Sequence, residues 1–183
     1  MREMDSRARY APNVAKALEV ILWFATRRPG IDIYHLVKGA FYADKFHVSE
    51  YGRPIVGDDY HAAPFGPLPH IIYGLLRRQP IEMIALANNG PLPFRTDDLH
   101  RVYADRAENS RKLSTSDIGA LEEGLRTVDG KSFDDLFAMT HDEFAYLNAV
   151  AGLMDYRDFI PLDADNREKK IEFIDEVSRH AVF

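Results

Sequence analysis

Cysteine is absent from this chain of 183 residues. Without thiols there is neither a disulfide nor a thiolate metal site, which excludes disulfide-stabilised scaffolds and zinc fingers. The chain also lacks any apolar run close to the roughly 20 residues that a membrane-spanning helix needs. Residues 1–9 are polar and contain no apolar core of a secretory signal peptide, so we expect a cytoplasmic protein that makes no membrane contact.

The commonest catalytic and nucleotide-binding motifs are missing as well. The sequence contains no Gly-x-Ser-x-Gly, Gly-x-Gly-x-x-Gly or P-loop pattern. None of its 7 histidines stands in a His-Glu-x-x-His or similar ligand spacing, so we expect no metal and no cofactor. Asp58-Asp59 is more typical of a turn than of a catalytic carboxylate pair.

Positive charge is scarce in one part of the chain. Residues 113–165 contain 3 Lys/Arg against 12 Asp/Glu, whereas residues 1–112 contain 16 against 13. These acids fit either a solvated surface or a complement to a basic protein partner, which would raise the association rate. Nucleic-acid binding is disfavoured, because phosphate contacts need a basic patch.

Hydrophobic periodicity predicts a mainly α fold. Apolar residues recur at helical spacing over residues 14–25, and Asp32 can cap a second helix. Gly39, inside this second helix, indicates a close contact with another helix. A last helix is expected over residues 167–180, where apolar positions are again spaced for one face.

Short polar residues mark further helix starts. Ser114 with Asp117 predicts a capping box before a helix that ends near Gly130, and Ser132 predicts a cap for a short helix after it. Thr140 with Glu143 predicts another capping box.

His141 lies inside this last predicted box and has the residue type for acid–base catalysis. Capping and the helix dipole explain the neighbouring acids without catalysis, because acids are favoured at a helix N-terminus. The group is therefore interpreted as structural, and an enzyme that uses His141 with nearby carboxylates stays as an alternative.

A small β element is predicted within the helical domain. Residues 55–63 predict a hairpin of two short strands around a Gly57-Asp58-Asp59 turn. Pro67 is expected as the first residue of a third helix, where its missing N–H costs nothing. Weak strands are predicted near Phe94 and near Val102.

Three segments together resemble one family. The first is Ala17-Leu18-Glu19-Val20-Ile21-Leu22-Trp23-Phe24-Ala25. The second combines Gly52-Arg53-Pro54-Ile55 with Phe65-Gly66-Pro67. The third leads from Leu113-Ser114 to Met139-Thr140-His141-Asp142-Glu143. In this order and spacing they resemble the Panacea domain, which is also met in SocA-like antitoxins and GepA-like phage-associated proteins.

The resemblance covers about residues 13–150. It implies a non-enzymatic antitoxin that neutralises a cognate toxin by direct protein contact, or alternatively a proteolytic adaptor that delivers a toxin to the ClpXP protease. With the helical pattern, it predicts a mainly α domain with a small β element (α+β), a single compact helical domain with an inserted short hairpin. Residues 1–12 are expected to form a flexible arm, and residues 151–183 a helical extension packed on the domain.

Two groups of residues are candidates for contact with a basic toxin. Tyr60, Phe65 and His70 are aromatic residues in or just after the predicted hairpin, and the acids are Glu122, Glu123, Asp134 and Asp135. The motif residues are expected to be structural: Gly52, Arg53, Pro54, Gly66, Pro67, Thr140, His141 and Glu143. A DNA-binding regulator is a further alternative, which the acidic region disfavours.

Overall fold

The computed structural model describes residues 7–80 and 91–180 of the chain. The helices are α1 Val14–Arg27, α2 Ile33–Tyr51, α3 His70–Leu76, α4 Thr115–Val128, α5 Phe133–His141, α6 Phe144–Leu147 and α7 Arg167–Val177, with a 3₁₀ helix Tyr156–Phe159. The strands are β1 Ile31–Asp32, β2 Tyr60–Ala63, β3 Gly66–Pro69, β4 Phe94–Thr96 and β5 Arg101–Ala104. The predicted mainly α fold with a small β element is confirmed. Within these ranges, no helix has both the length and the apolar character needed to cross a bilayer.

Local capping sets the start of four helices. Asn13, Asp32, Ser114 and Ser132 are the N-cap residues, and each side chain accepts the backbone N–H three residues on. The two serines complete capping boxes, because the aspartate at the third helical position accepts the N-cap N–H in return. The starts predicted at Asp32, Ser114 and Ser132 are confirmed.

Helix α2 runs between two hydrophobic clusters. Leu36 and Ala40 belong to the larger cluster, which α1, α3, α4 and the strands β4 and β5 complete. Phe41 and Val48 belong to the second cluster, together with apolar side chains from residues 154–174. Because both sides of α2 are covered, this helix is the centre of the protein.

Helices α2 and α4 approach so closely that their backbones touch. A Cβ atom added to Gly124 would overlap the carbonyl oxygen of Gly39 and lie 2.8 Å from the backbone nitrogen of Ala43. A Cβ atom added to Gly39 would lie 2.8 Å from a ring carbon of Phe24 on α1. The close helix contact predicted at Gly39 is confirmed, and it involves both neighbouring helices.

Segments near both ends of the described residues pack against the rest of the domain. We expected residues 7–12 to belong to a flexible arm. Instead, the side chains of Ala8 and Tyr10 are buried, and the Tyr10 hydroxyl donates to the Gly52 carbonyl at 3.2 Å. At the other end, the Met154 N–H donates to the Tyr60 carbonyl at 3.0 Å. Residues 1–6 lie outside the described part of the chain, and the division at residues 13 and 150 stays a prediction.

The hairpin lies further along the chain than the sequence predicts. Its strands are Tyr60–Ala63 and Gly66–Pro69, with Ala63 opposite Gly66, so Pro64 and Phe65 form the tip. Gly66 has φ 93°, a conformation that is costly for other residues, and this allows the reversal at the tip. The predicted strand at Ile55-Val56 and the turn at residues 57–59 are therefore wrong.

Helix α3 begins later than predicted because its cap comes from a distance. Both oxygens of the buried Asp58 accept backbone N–H groups of the first turn, from Ile71 at 2.8 Å and Ile72 at 3.0 Å. Pro67 lies in β3, opposite Ala62, and not at the helix start. Asp58 is thus a remote helix cap in place of a turn residue.

The second sheet has the strand order β1-β5-β4. Strands β4 and β5 are antiparallel, with Thr96 opposite Val102, which confirms the two weak strands predicted there. Between them the Asp97 side chain accepts the N–H groups of Leu99 and Arg101 and holds the turn.

The contact of α2 with α4 gives a matched pair of glycine substitutions on one helix. We expect Gly124→Ala to lower the free energy of unfolding by about 1–3 kcal/mol, because the new methyl group forces the two backbones apart. Gly119→Ala has open space around its Cβ atom and should raise stability by about 0.5–1 kcal/mol. Urea unfolding of both variants checks this, and equal effects would contradict the close contact.

Candidate functional site

The Gly52-Arg53-Pro54 motif lies where α2 ends and the chain turns back. Gly52 is the C-cap of α2 with φ 69°, and a Cβ atom there would overlap the ring of Phe173. The Arg53 guanidinium donates to the Asp117 carboxylate on α4 at 3.3 Å. This motif therefore connects the end of α2 to the start of α4.

Asp117 is the hub of a buried ionic cluster. Its carboxylate contacts the Lys16 ammonium at 2.8 Å and accepts the Ser114 N–H at 2.8 Å, in addition to the contact with Arg53. Burial by itself would raise the pKa of Asp117, but the hydrogen bonds from Lys16 and Ser114 outweigh it and hold the pKa below its usual value. These contacts support a structural role for Arg53.

The Phe65-Gly66-Pro67 and Thr140-His141 motifs also meet in space. A Cβ atom on Gly66 would lie 2.5 Å from the Thr140 hydroxyl oxygen, so the hairpin tip packs directly on the end of α5. The Thr140 hydroxyl donates to the Leu136 carbonyl at 2.7 Å, inside the last turn of α5. The predicted capping box of Thr140 with Glu143 is therefore wrong: Thr140 lies in the last turn of α5 and does not start the next helix. Glu143 instead pairs with Lys45 of α2.

His141 is the last residue of α5 and not part of a helix start. Its Nδ1 lies 2.7 Å from the Phe137 carbonyl and its Nε2 lies 3.2 Å from the Pro64 carbonyl at the hairpin tip. The ring also stacks on Phe137, with centroids 3.8 Å apart. Both ring nitrogens thus face backbone carbonyls, and this supports a role in fixing the hairpin to α5.

A continuous strip of aromatic rings runs along the surface beside this junction. It consists of Tyr34 from α2, Phe65 from the hairpin tip, Phe133, Phe137 and His141 from α5, and Tyr146 beyond them; we name these six residues the aromatic surface. Neighbouring ring centroids lie between 3.8 and 6.2 Å apart. Its three phenylalanines are exposed, Phe65 to 61%. Contiguous exposed apolar side chains are typical of interaction sites on soluble proteins.

The predicted aromatic contacts do not lie together. Phe65 belongs to the aromatic surface, but Tyr60 is buried, with its hydroxyl 2.9 Å from the Asp44 carboxylate. Tyr60 is thus a core residue, which corrects its placement on a partner surface. His70 is exposed but follows Pro69, at the base of the hairpin opposite Tyr60 and away from the tip.

The four predicted acids differ in their freedom to meet a partner. Glu123 pairs with Arg126 at 2.8 Å on the same helix, and Asp135 accepts the N–H of Ser132 in its capping box. Glu122 and Asp134 are exposed, and the described part of the chain offers neither of them an ion pair. Local contacts therefore occupy two of the four acids, and their contact with a partner stays a prediction.

Sequence reasoning missed Phe133 and Phe137, which form the centre of the aromatic surface. These residues are four positions apart and so share one side of α5, whereas the buried Leu136 and Thr140 share the inner side. The sequence signal was this second apolar stripe on a short helix. Tyr34 had no such signal, because it joins the strip only through the packing of α2 against α5.

A cleft of about 640 Å³ opens next to the aromatic surface. Its walls come from the start of α2, the hairpin tip and α3, and Tyr34 and Phe65 line both the cleft and the aromatic surface. Among the described residues, no cluster of three or more histidines and carboxylates could hold a metal ion here or elsewhere.

Lys38 of α2 is a buried amine at this cleft. Its side chain is among the largest fully buried ones, and its Nζ donates to the Pro67 carbonyl at 2.9 Å. The ammonium lies 5.0 Å from the centre of the Tyr34 ring. No carboxylate of the described residues forms an ion pair with it, and burial lowers the pKa of Lys38 to about 7.

The lowered pKa gives a pH-dependent stability prediction. The folded state loses the Lys38 proton at a lower pH than the unfolded chain, so this group destabilises the fold most below about pH 7 and ceases to do so above about pH 10.5. Lys38→Met removes the buried charge and should therefore be most favourable, relative to wild type, at low pH. Its advantage should shrink as the pH rises through this range.

Thermal unfolding of both proteins at a series of pH values measures this difference. Lys169→Met, at an exposed residue of α7, is the matched control, for which we expect a constant difference. An equally constant difference for Lys38→Met would contradict the buried, unpaired charge.

Comparison with known protein families finds one family model that matches this chain. The family described as "Antitoxin SocA-like, Panacea domain" matches residues 36–145. This range holds Lys38, both motif junctions and the aromatic surface except Tyr34 and Tyr146. Searches among curated proteins and among solved structures find no match. With more than half of its length matched, the chain belongs to the family of SocA-like antitoxins with a Panacea domain.

Proposed function

We propose that this protein is an antitoxin that neutralises a cognate toxin by direct binding through the aromatic surface. Family membership supports the antitoxin role. The single observation that carries the choice of surface is the contiguous exposure of Phe65, Phe133 and Phe137. These side chains meet where two family motifs join, at the hairpin tip and α5.

Exposed rings of this kind are suited to partner binding. Large aromatic side chains dominate the centres of protein interfaces, because they bury much apolar area. At the aromatic surface each ring is also held by a neighbouring ring, so little conformational freedom would be lost on binding. The toxin would place apolar groups over Phe133 and Phe137.

Acids lie close to these rings in the sequence of α5. Asp134 follows Phe133 directly, and Asp142 is exposed at the other end of the helix. These two acids would attract a basic toxin to α5, because complementary charge raises the association rate more than the affinity. This supports the expectation of a basic toxin.

The aromatic surface is tested with the double variant Phe133→Ser/Phe137→Ser. We expect it to bind the toxin at least about 30-fold more weakly, since interface anchors contribute 2 kcal/mol or more, and to stop protecting cells. The cognate candidate is the protein encoded by the adjacent reading frame, co-expressed while growth is scored and titrated by calorimetry. Leu162→Ser, at a still more exposed apolar residue outside the aromatic surface, is the control.

Two outcomes have different meanings. A folded double variant that still binds and protects would exclude the aromatic surface while leaving the antitoxin role intact. A toxic neighbour that wild-type protein neither binds nor neutralises would count against the antitoxin role itself.

The charge contribution is tested with Glu122→Lys/Asp134→Lys. Both side chains are exposed, so the fold should be kept, since exposed charges contribute little to stability. We expect slower association with the toxin and a weaker dependence of its rate on ionic strength. Stopped-flow binding at two ionic strengths measures both, with Glu50→Lys/Asp98→Lys as control at exposed acids outside residues 113–165. If both variants behave alike, Glu122 and Asp134 are only part of a solvated surface.

Proteolytic delivery is the alternative within the same family, and one comparison separates it from neutralisation. Neutralisation by binding persists in cells without ClpX, whereas delivery to ClpXP ends there and leaves the toxin level unchanged by co-expression. The same growth assay, with immunoblots of the toxin, distinguishes the two.

A further inference from the structure

The cleft beside the aromatic surface has the size of a ligand site. Its volume of about 640 Å³ falls in the range of small-molecule pockets, roughly 300–1,000 Å³. Most of its wall is apolar, with Val37 and Leu68 below and Phe65 and Leu99 toward solvent. A ligand with an apolar or aromatic body fits such walls.

Lys38 supplies the polar contact that such a site needs. An ammonium group has three N–H donors, and the Pro67 carbonyl is the single hydrogen-bond acceptor that residues 7–80 and 91–180 provide for it. A buried charge without an ion partner is costly, and a bound anion would remove that cost. The donors of Lys38 that the described residues leave unused therefore favour a further acceptor, such as a bound ligand.

The other charged groups at the cleft agree with an anion. Arg77 is exposed at its rim, and no acid of the described residues pairs with it. The acid that lines the cleft, Asp32, already accepts the His35 N–H at 2.9 Å and lies 2.7 Å from the His35 ring. The Asp32 carboxylate therefore pairs with His35 and not with Lys38.

Among the described residues that line the cleft, Lys38 is the one buried cation, and this distinguishes between classes of anion. Phosphate groups are usually held by several donors, such as an arginine fork or a helix N-terminus, whereas one lysine suffices for a carboxylate. We propose that the cleft binds a monocarboxylate on an apolar or aromatic body, with the carboxylate on Lys38 and the body between Tyr34 and Phe65. Such a group is found in small acyl or aryl acids and at the C-terminus of a polypeptide that ends in an apolar residue.

The test uses wild-type protein alone and does not depend on a toxin. The probes are 3-phenylpropionate and its neutral amide, titrated by NMR or calorimetry at about pH 6, where the Lys38 amine is protonated. We expect the acid to bind at least about tenfold more tightly than the amide, because the charge-assisted hydrogen bond exists only with the acid. Lys38→Met should abolish this preference, and Lys169→Met should keep it.

A second pair of probes separates the two sources of carboxylate. A short peptide that ends in Leu-Phe is compared with its C-terminally amidated form. Tighter binding of the free-acid peptide than of 3-phenylpropionate assigns the cleft to a chain terminus, and binding of the small acid alone assigns it to a free acid. Equal binding of acid and amide, no binding of any probe, or a preference that survives Lys38→Met would overturn the proposal. A failed antitoxin assay would leave it untouched, since no toxin takes part.

Discussion

The contact between the backbones of α2 and α4 is the constraint on which the rest of the structure depends. Two helices can approach this closely only where side chains are missing, and Gly39 and Gly124 provide that space. The short distance brings Asp117, in the first turn of α4, next to Arg53 at the end of α2. It also leaves α2 covered on both sides, so that Lys38, Asp44 and His47 of this helix are removed from water.

The buried polar side chains of α2 differ in their hydrogen-bond partners and in the direction of their pKa shifts. Asp44 accepts the Ile55 N–H at 2.6 Å, and burial raises its pKa to about 6. Burial lowers the pKa of His47, whose Nδ1 lies 2.6 Å from the Arg53 carbonyl. Lys38 has a backbone carbonyl and no counter-ion among the described residues. The buried polar side chains Asp44 and His47 thus have hydrogen-bond partners within the protein, whereas the Lys38 amine lies at the cleft without a counter-ion among the described residues.

The family motifs acquire a physical meaning from this arrangement. The Gly-Arg-Pro segment joins the Leu-Ser segment through Asp117, and the Phe-Gly-Pro segment joins the Thr-His segment through the contact of Gly66 with Thr140. The motifs thus hold two junctions together, and the second junction fixes the hairpin tip that carries Phe65. The structural motif residues therefore hold Phe65 in position beside the other rings of the aromatic surface.

Local sequence determined the helix starts at Asn13, Asp32, Ser114 and Ser132, because a cap and its helix lie within a few residues of each other. It could not determine the start of α3, since Asp58 caps that helix from 13 residues away. Nor could it place Thr140, whose hydroxyl can cap a new helix or bond back into the previous turn, a choice that packing against the hairpin decides. Of the candidate site, the sequence indicated Phe65 as a partner contact but neither Phe133 nor Phe137, because the burial of Lys38 and Tyr60 and the exposure of the α5 rings follow from tertiary contacts.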